Sequence, residues 1–361
     1  MSEEGDAGSI TDWPTYGWSG PQKEKYFLSE MKRLTQLHRQ ACPAYDKIVG
    51  KIDFLSQDMI SLETIPFIPV RLFKLQKLLS VSKEEIIKTM TSSGTSGQAV
   101  SQIFLDKQTS ALQVKVLARI MADVIGSKRL PMLVIDCKAT VSDRLRFSAR
   151  TAGILGFSMF GRQVEYALDD DMTLNLERVE KFVSKHAGQP ILVFGFTFMV
   201  WQHLVRTLEE SGQKINLEGA ILIHGGGWKK LISDAVDPQE YKERIKSVLN
   251  IKKVHNYYGM VEQTGSIFME CEYGHLHASA WSDVIIRDSR DFSVCKDGQT
   301  GLVQLLSVIP HSYPGHSILS EDIGRVLGRD DCPCQRKGTY FAIEGRLENA
   351  EIRGCSDTFN G

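Results

Sequence analysis

The sequence predicts an α/β fold in which a parallel-rich sheet is covered by helices and followed by a smaller β-rich part. Apolar runs of strand length alternate with amphipathic helical segments between residues 103 and 258, a pattern typical of parallel sheets with crossover helices. From Ser266 onward, short strand-like runs separated by Gly, Asp and Ser predominate, which predicts antiparallel pairing. Because ligands bind beyond the carboxyl ends of parallel strands, functional residues are expected at those ends.

The bulk composition is that of an ordinary globular protein. The 361 residues are 42% hydrophobic and 24% charged, enough for one large domain or two ordinary ones. The formal net charge of −1 gives no support for binding to nucleic acid or a membrane surface, and no apolar run approaches the roughly 20 residues that span a bilayer. The acidic start lacks the apolar core of a signal peptide, so a cytoplasmic location is expected. Seven cysteines, an odd number, argue against a disulfide framework.

The first hundred residues predict an arm, helices and an extended segment. Residues 1–20 show no periodicity and are expected to form a loosely packed arm. Helical spacing of apolar residues predicts helices over residues 21–41, 45–60 and 82–90. Two prolines exclude a helix interior over residues 65–70, which are expected to be extended and to continue so through Lys74.

The alternating part follows. Strands are predicted over residues 103–105, 130–135, 191–194, 220–223 and 254–258. Helices are predicted over residues 108–125, 142–155, 173–186, 198–211 and 239–249, with Gly153 and Gly156 closing the second of these. Antiparallel strands are predicted over residues 267–269, 276–278, 284–286, 301–307 and 325–327.

One loop consists of hydroxyl and glycine residues alone: Thr91, Ser92, Ser93, Gly94, Thr95, Ser96 and Gly97. Glycines allow positive φ, so that several backbone N–H groups can point one way and, with the hydroxyls, form a cradle for phosphate oxygens. Taken alone, the stretch fits a solvated linker equally well.

The order of this loop and three later segments resembles the adenylate-forming superfamily, whose members activate a carboxylate with ATP. The later segments are Asn256-Tyr257-Tyr258-Gly259-Met260-Val261-Glu262, Glu321-Asp322-Ile323-Gly324 and Gly345-Arg346-Leu347-Glu348-Asn349. The resemblance implies that residues 91–97 bind phosphate and that Gly225 and Gly226, in the turn after His224, lie against adenine. It further implies that Tyr258 stacks on adenine, Asn256 contacts its amino edge and Asp322 takes the ribose hydroxyls.

The same resemblance assigns the metal and the hinge. Glu262 is implied to hold Mg²⁺, and Gly259 of the same motif to lie at the nucleotide. Arg346 is implied to lie at the hinge beside the nucleotide. The sequence departs from the superfamily pattern at Val261, which replaces a threonine that touches the α-phosphate, and Thr264 is the expected substitute. Asn349 replaces the hinge aspartate, and the usual lysine soon after Gly97 is absent.

Within the superfamily, residues 20–361 resemble the acyl-protein synthetase family of the LuxE type. The motifs are Ile65-Pro66-Phe67-Ile68-Pro69-Val70, Leu72-Phe73-Lys74, His224-Gly225-Gly226-Gly227-Trp228-Lys229-Lys230, Tyr258-Gly259-Met260-Val261-Glu262-Gln263-Thr264-Gly265 and Glu351-Ile352-Arg353-Gly354-Cys355. The resemblance implies that an acyl-adenylate forms, that the acyl group moves to Cys355, and that a partner reductase receives it. A thiolate is required for that transfer, and neighbouring Arg346 and Arg353 would lower the thiol pKa.

The expected division is a core domain over residues 1–344, including the β-rich part over 266–344, and a hinge with a short tail over 345–361. On this expectation the mobile C-terminal domain of larger relatives is truncated and its late catalytic lysine is missing. Lys229, Lys230 or Lys74 would then replace that lysine, and the alternative for each is a solvated surface residue.

Two further sites are expected from the residues themselves. Cys332 and Cys334 form a C-x-C pair that could join Cys271 and His277 in a structural Zn²⁺ site, with His277 preferred to His275 because it begins a strand. The alternative is reduced thiols and histidines in loops. Phe196 and Phe198 follow a strand end and could line a pocket for the acid, although aromatic rings at such spacing are often core.

The sequence therefore predicts an ATP- and Mg²⁺-dependent acid–thiol ligase acting on a carboxylic acid, chiefly a fatty acid. The acyl acceptor would be a reductase-like partner or an acyl carrier protein. Two alternatives stay open: a ligase that loads coenzyme A or a carrier protein without self-acylation, and a nucleotide-binding protein that has lost catalysis.

Overall fold

The computed structural model describes residues 9–51, 59–92, 100–142, 149–228 and 234–347. Its helices are α1 (Gly20–Ala41), α2 (Pro43–Lys51), α3 (Leu72–Leu75), α4 (Lys107–Ile125), α5 (Ala139–Ser142), α6 (Ala149–Ser158), α7 (Leu176–Lys185), α8 (Thr197–Val200), α9 (Thr207–Ser211) and α10 (Pro238–Leu249). A π-helical segment, Trp201–Arg206, joins α8 to α9.

The strands are β1 (Ile68–Pro69), β2 (Lys88–Thr91), β3 (Gln102–Leu105), β4 (Leu130–Cys137), β5 (Gly161–Leu168), β6 (Leu192–Phe196), β7 (Ile221–Gly225), β8 (Lys253–Tyr258), β9 (Phe268–Glu270), β10 (Leu276–His277), β11 (Ser282–Arg287), β12 (Gly301–Ser307), β13 (Ser317–Arg329) and β14 (Thr339–Arg346). Single 3-10 turns lie at Ile10–Asp12, Leu62–Thr64, Lys83–Glu85 and Val261–Gln263.

Local capping residues set the ends of the longer helices. The Asp237 carboxylate accepts hydrogen bonds from the N–H groups of Gln239 and Glu240 at the start of α10, as an N-cap residue does. That helix ends at Asn250, whose φ of 56° lies in the left-handed region. The α10 face that buries Ile245 and Leu249 then packs on the sheet.

The first half of the main sheet is parallel, as predicted. Its strands lie in the order β8-β7-β6-β4-β5, and each adjacent pair is parallel. Every residue of β4 is buried, which is typical of a parallel strand covered on both faces. The carboxyl ends of β6, β7 and β8 come together at one edge, where the register pairs Phe196 with Gly225 and Gly225 with Tyr257.

The second half is antiparallel and continues the same sheet. Its order is β9-β10-β14-β13-β12-β11, and the short β1 adds a parallel pairing to β13. The two halves join where β8 runs antiparallel to β9, with Tyr257 opposite Met269 and Tyr258 opposite Phe268. Strand β8 thus carries the last residues of the parallel half directly against the β-rich part.

The hydroxyl- and glycine-rich loop connects the two strands of a separate hairpin. Strand β2 pairs with β3, and Thr91 lies opposite Gln102. Below the loop, the Ser92 N–H donates to the Ser101 carbonyl at 3.1 Å, and the Ser101 N–H donates to Ser92 Oγ at 2.9 Å. These bonds close the base of the loop, whose residues 93–97 lie outside the described part of the chain.

The N-terminal segment is packed rather than loose over its described residues, so that expectation was wrong. Trp13 and Tyr16 are buried. The Ala280 N–H donates to the Thr15 carbonyl at 2.8 Å, and the Trp281 indole N–H donates to the Ile10 carbonyl at 2.6 Å. The sequence pattern did not predict this packing, because the aromatic residues of the segment show no periodicity and their partners lie far along the chain.

Other expectations failed for local reasons. The predicted helix over 82–90 is a single 3-10 turn followed by β2, because residues 88–91 pair with β3 instead of continuing the helical turn. Residues 72–75 form α3 instead of continuing an extended segment. Helix α6 runs through Gly153 and Gly156 to Ser158 instead of closing there.

Besides β2, two strands were missed altogether. Strand β5 forms the outer edge of the parallel half, where polar residues such as Arg162 and Gln163 break the apolar pattern. Strand β14 ends in partly exposed charged residues, and the expected hinge at Gly345 and Arg346 coincides with its last two positions. Among the described residues, no helix is both long and apolar enough to cross a bilayer.

Candidate active site

The candidate nucleotide site lies where β8 ends against β13. Tyr258, the last residue of β8, donates its hydroxyl proton to Asp322 Oδ2 at 2.6 Å. Its ring packs near Phe268 and edge-on to Phe341, with centroid distances of 6.0 and 6.3 Å. Burial, together with the Asp322 carboxylate, raises the pKa of Tyr258 well above its usual value, so the hydroxyl remains a hydrogen-bond donor.

Two arginines bracket the carboxylate next to Asp322. Glu321 is bonded by the Arg71 guanidinium at Oε1 and by Arg346 Nη2 at Oε2, the latter at 2.6 Å. Burial alone would raise the pKa of Glu321, but the hydrogen bonds from Arg71 and Arg346 outweigh it and lower that pKa. Arg346 Nε also lies 3.9 Å from Asp322 Oδ1. The arrangement fixes Arg346 at the edge of the expected ribose site.

Asn256 occupies the same strand face as Tyr258, because side chains two residues apart on a strand point the same way. Its backbone N–H donates to Glu270 Oε2 at 2.9 Å. The intervening Tyr257 points to the other face, where its ring lies 4.9 Å from that of Phe157. Asn256 and Tyr258 are therefore placed together, as the resemblance requires of two residues that contact one base.

The turn after β8 is held tightly. Gly259 leads into the 3-10 turn, in which Glu262 is fully buried and its carbonyl accepts the Tyr313 hydroxyl at 3.0 Å. Gly265 has φ 90°, and an added Cβ would lie 2.7 Å from the Gln113 Cα of α4. The Thr264 hydroxyl donates to the Val261 carbonyl at 2.8 Å, so in this arrangement it offers a phosphate only its lone pairs.

The glycines after β7 are required by the protein's own aromatic rings. A Cβ on Gly225 would lie 2.6 Å from the Tyr257 ring, and one on Gly226, which has φ 83°, would lie 2.6 Å from the Phe196 ring. Gly227 has φ 66°, and among the described residues, which leave out 229–233, no atom lies within 4 Å of its Cβ position. Gly225 and Gly226 are therefore required by the packing of the two aromatic rings, whereas no such packing contact requires Gly227 among the described residues.

Phe196 and Phe198 are largely core residues, since only 5% and 7% of their surfaces are exposed. Phe196 is enclosed by Gly226 on one side and by Gly153 of α6 on the other, where an added Cβ would lie 2.8 Å from the ring. Their role in binding the acid stays a prediction, and the packing allows them at most to form the wall of an acyl site.

A buried ion pair that the sequence analysis missed lies at the end of β4. Arg150 Nε is 3.0 Å from Asp136 Oδ2, and Thr140 Oγ1 donates to Asp136 Oδ1 at 2.6 Å. Burial raises the pKa of Asp136 despite the neighbouring guanidinium. An aspartate directly after an apolar strand was the available signal for this position. Arg71 gave no such signal, because its partner Glu321 is 250 positions away.

The four expected zinc ligands do come together, on the opposite side of the β-rich part. The ligand atoms of Cys271, His277, Cys332 and Cys334 all lie within 4.8 Å of one another. A separate cleft of about 630 Å³ lies between α10 and the β9–β10 turn, at the amino end of β8 and thus away from Tyr258. Of the other expected residues, Ser93 to Gly97, Lys229 and Cys355 lie outside the described part of the chain.

The comparisons with known proteins identify the family and the fold of the chain. The family described as "Acyl-protein synthetase, LuxE" matches residues 3–361. A long-chain-fatty-acid–luciferin-component ligase of Aliivibrio fischeri is 23% identical over 318 residues, covering 84% of this chain and 79% of the relative. The protein of the same name in Vibrio harveyi is 22% identical over 350 residues, covering 92% and 89%.

Among solved structures, an open conformation of 2-hydroxyisobutyryl-CoA ligase in complex with 2-HIB-AMP and CoA is similar in fold. Its TM-score is 0.72 at 17% identity, covering 95% of this chain and 79% of that one. The fold confirms the expected α/β architecture with a parallel-rich sheet. The chain belongs to the acyl-protein synthetase family of the LuxE type and shares its fold with that CoA ligase.

Proposed function

We propose that this ligase activates a long-chain fatty acid with ATP and passes the acyl group through Cys355 to a partner protein. The names of the two curated relatives support the choice of acid. The single observation that carries the nucleotide assignment is the Tyr258–Asp322 hydrogen bond at 2.6 Å. This bond supports the proposal because it joins Tyr258, the proposed adenine platform, to Asp322, the proposed ribose acceptor. The free thiols of the described cysteines suit a reducing compartment, so a cytoplasmic location belongs to the proposal.

The binding roles follow from the contacts around that bond. The Tyr258 ring offers a face for adenine, with Asn256 beside it on the same strand face, and Asp322 accepts the ribose hydroxyls. Glu321 positions Arg346, so that its guanidinium approaches the nucleotide with a fixed orientation. The hydroxyls and N–H groups of residues 91–97 would surround the phosphates, above a hairpin whose base Ser92 and Ser101 close.

Magnesium fits the donor chemistry at Glu262. A glutamate carboxylate is a hard oxygen ligand of the kind Mg²⁺ prefers, and Glu262 is fully buried in the turn directly after β8. When bound, the ion would offset the negative charge of the phosphates. Lys229 would supply further positive charge. The zinc ion expected from the sequence would be structural and would take no part in this reaction.

The proposed reaction has three steps. A carboxylate oxygen of the acid attacks the α-phosphorus of ATP, the bond to the β-phosphate oxygen breaks, and pyrophosphate leaves. The Cys355 thiolate, its proton already lost to solvent, then attacks the acyl carbonyl and AMP leaves. A thiol on the partner takes the acyl group by the same exchange. Phe196 and Phe198 are proposed as the wall of the acyl site.

Two measurements test the proposal. Fatty-acid-dependent ATP–pyrophosphate exchange, run against acids of different chain length, reports the first step. The absence of exchange with every acid would favour a binding protein without catalysis. Covalent labelling of the chain by radioactive acid and ATP reports the second step and should disappear in Cys355→Ser but persist in the control Cys295→Ser. Labelling that persists in Cys355→Ser would mean that another residue carries the acyl group, whereas a wild-type chain that takes up no label would favour direct transfer to coenzyme A or a carrier protein.

A further inference from the structure

Three thiols and an imidazole converge where two connections of the β-rich part meet. Cys271 directly follows β9 and His277 ends β10, so these two come from one hairpin. Cys332 and Cys334 come from the β13–β14 connection over residues 330–338. Cys271, His277 and Cys332 are buried, and Cys334 is half-buried. The cluster therefore joins segments about 60 residues apart in a site largely closed to solvent.

The distances suit a single tetrahedral ion. The sulfur atoms of Cys271 and Cys332 lie 3.9 Å apart, and Cys334 Sγ lies 3.3 Å from His277 Nε2. Around tetrahedral zinc, with bonds of roughly 2.3 Å to sulfur and 2.0 Å to nitrogen, ligand atoms are separated by roughly 3.6–3.8 Å. Small side-chain movements are enough to bring all four atoms to those separations.

The histidine is oriented by ring packing and by the contact between its Nε2 and Cys334 Sγ. The His277 ring is nearly parallel to Tyr340 at a centroid distance of 5.6 Å and lies edge-on to Tyr16 at 6.1 Å. Within the described residues its Nδ1 has no hydrogen-bond partner, and its Nε2 faces the thiols. His275, the neighbouring candidate, places Nδ1 3.3 Å from Cys332 Sγ, where it can donate to a bound thiolate from outside the four-ligand set.

We infer that Cys271, His277, Cys332 and Cys334 bind one structural Zn²⁺ ion that fastens the N-terminal segment to the β-rich part. Three soft sulfur ligands and one imidazole select zinc among the common divalent ions. Four protein ligands leave no position for a substrate. Binding releases the thiol protons to solvent and changes no oxidation state.

The site lies on the other face of the sheet from the nucleotide. Register pairs His277 with Tyr340 and with Met269, and Met269 in turn with Tyr257. Paired residues share a face, and the next residue along each strand points to the opposite one. Tyr258 belongs to that opposite face. This geometry excludes direct contact between the ion and an adenine stacked on Tyr258.

The loop that supplies two of the ligands also holds the N-terminal segment. The Lys337 N–H donates to the Tyr16 carbonyl at 3.0 Å, and the Gly20 N–H donates to Asp330 Oδ2 at 2.9 Å. Arg336 lies over the Tyr16 ring at 4.9 Å and pairs with Asp123 of α4 at 2.5 Å. Fixing Cys332 and Cys334 therefore fixes the loop on which residues 15–20 and the end of α4 rest.

Metal analysis of the full-length chain tests the inference. Protein expressed with added zinc and purified without chelator should contain about one zinc per chain. Cys332→Ser and His277→Asn should lose most of that zinc, whereas Cys295→Ser and His275→Asn should retain it. Chymotrypsin should also cleave after Tyr16 or Trp18 faster in the two deficient variants.

If those variants do not fold, measurements on the wild-type protein alone still test whether the site binds zinc. Titration with an organomercurial should release zinc as three thiols react, and cobalt replacement should give the absorption bands of a tetrahedral thiolate site. Less than about a tenth of an equivalent of zinc, or a Cys271–Cys332 disulfide in non-reduced peptide maps, would overturn the inference. Neither result depends on ATP, so a failure here is distinguishable from a failure of the proposed reaction.

Discussion

Tyr258 and Asp322 are joined by a 2.6 Å hydrogen bond across 64 positions of sequence, from the end of the parallel half to the middle of β13. The expected adenine platform and ribose acceptor therefore behave as one unit. Because the pKa of Tyr258 is raised well above its usual value, the bond persists across the working pH range. Nucleotide affinity should consequently not titrate with this tyrosine.

Replacing Tyr258 by phenylalanine should weaken ATP binding while preserving stacking. The substitution keeps the ring and removes the donor to Asp322. A hydrogen bond to a charged group contributes about 1.5–3 kcal/mol, so the KM for ATP in pyrophosphate exchange should rise about tenfold or more. Tyr258→Ala, which also loses the ring, should be worse. Equal effects in the two variants would mean that the ring contributes nothing.

Glu321→Gln should lower activity by releasing Arg346. The substitution keeps the shape but removes the charge that both arginines bind, and about tenfold in kcat/KM is expected from the weakened charged hydrogen bonds. If Glu321 acts through Arg346, the same change should have little further effect in an Arg346→Ala background. Additive losses in that double-mutant cycle would contradict a positioning role.

Stability should fall as the pH drops below about 6.5, the ordinary histidine pKa. Burial lowers the pKa of His38 and of His224 to about 3. Between these values the unfolded chain binds protons that the folded chain does not. Each histidine should thus lower the free energy of unfolding by about 1.4 kcal/mol when the pH falls from 7.5 to 5.5.

Urea unfolding at the two pH values measures this dependence. His38→Gln retains a donor for the Pro310 carbonyl, which His38 Nε2 contacts at 3.1 Å, but it cannot titrate. The pH dependence of its unfolding free energy should be smaller than that of the wild type by about one histidine's share. An unchanged dependence would show that His38 is not neutral and buried in solution.

Gly226→Ala and Gly227→Ala form a matched pair. Both positions have positive φ, but only the first would drive a Cβ to 2.6 Å from the Phe196 ring. Gly227→Ala should cost about 1 kcal/mol of unfolding free energy through the backbone alone. Gly226→Ala should cost about 2 kcal/mol or more, because the ring must also move. Thermal and urea denaturation measure both losses of unfolding free energy. Equal losses in the two variants would mean that the Phe196 ring moves aside without cost.

The sequence predicted the features that depend on local pattern. Buried strands such as β4, β6 and β7 and the capped helices α4 and α10 were recognised from apolar periodicity. The clustering of Cys271, His277, Cys332 and Cys334 was expected from residue type. Asn256, Tyr258 and Asp322 were named through the family resemblance. The structure places Tyr258 and Asp322 in contact, which spacing alone could not establish.

What escaped prediction depends on distant partners. The role of Arg71 depends on its contact with Glu321, and the packing of the N-terminal aromatic residues depends on the segment around Trp281. Strand β5 was hidden because an edge strand carries polar residues that a central strand would not. The helix predicted over 82–90 failed because its β-branched residues find a partner in β3 beyond the hydroxyl-rich loop.

The bracket around Glu321 has a consequence for biosynthesis. Arg71 emerges from the ribosome 250 residues before its partner, which at 5–20 residues per second is roughly 10–50 s. Strand β1 is synthesised equally long before its partner β13. A nascent chain therefore cannot bind nucleotide productively until β13 has emerged, and ATP can act as a folding ligand only after that point.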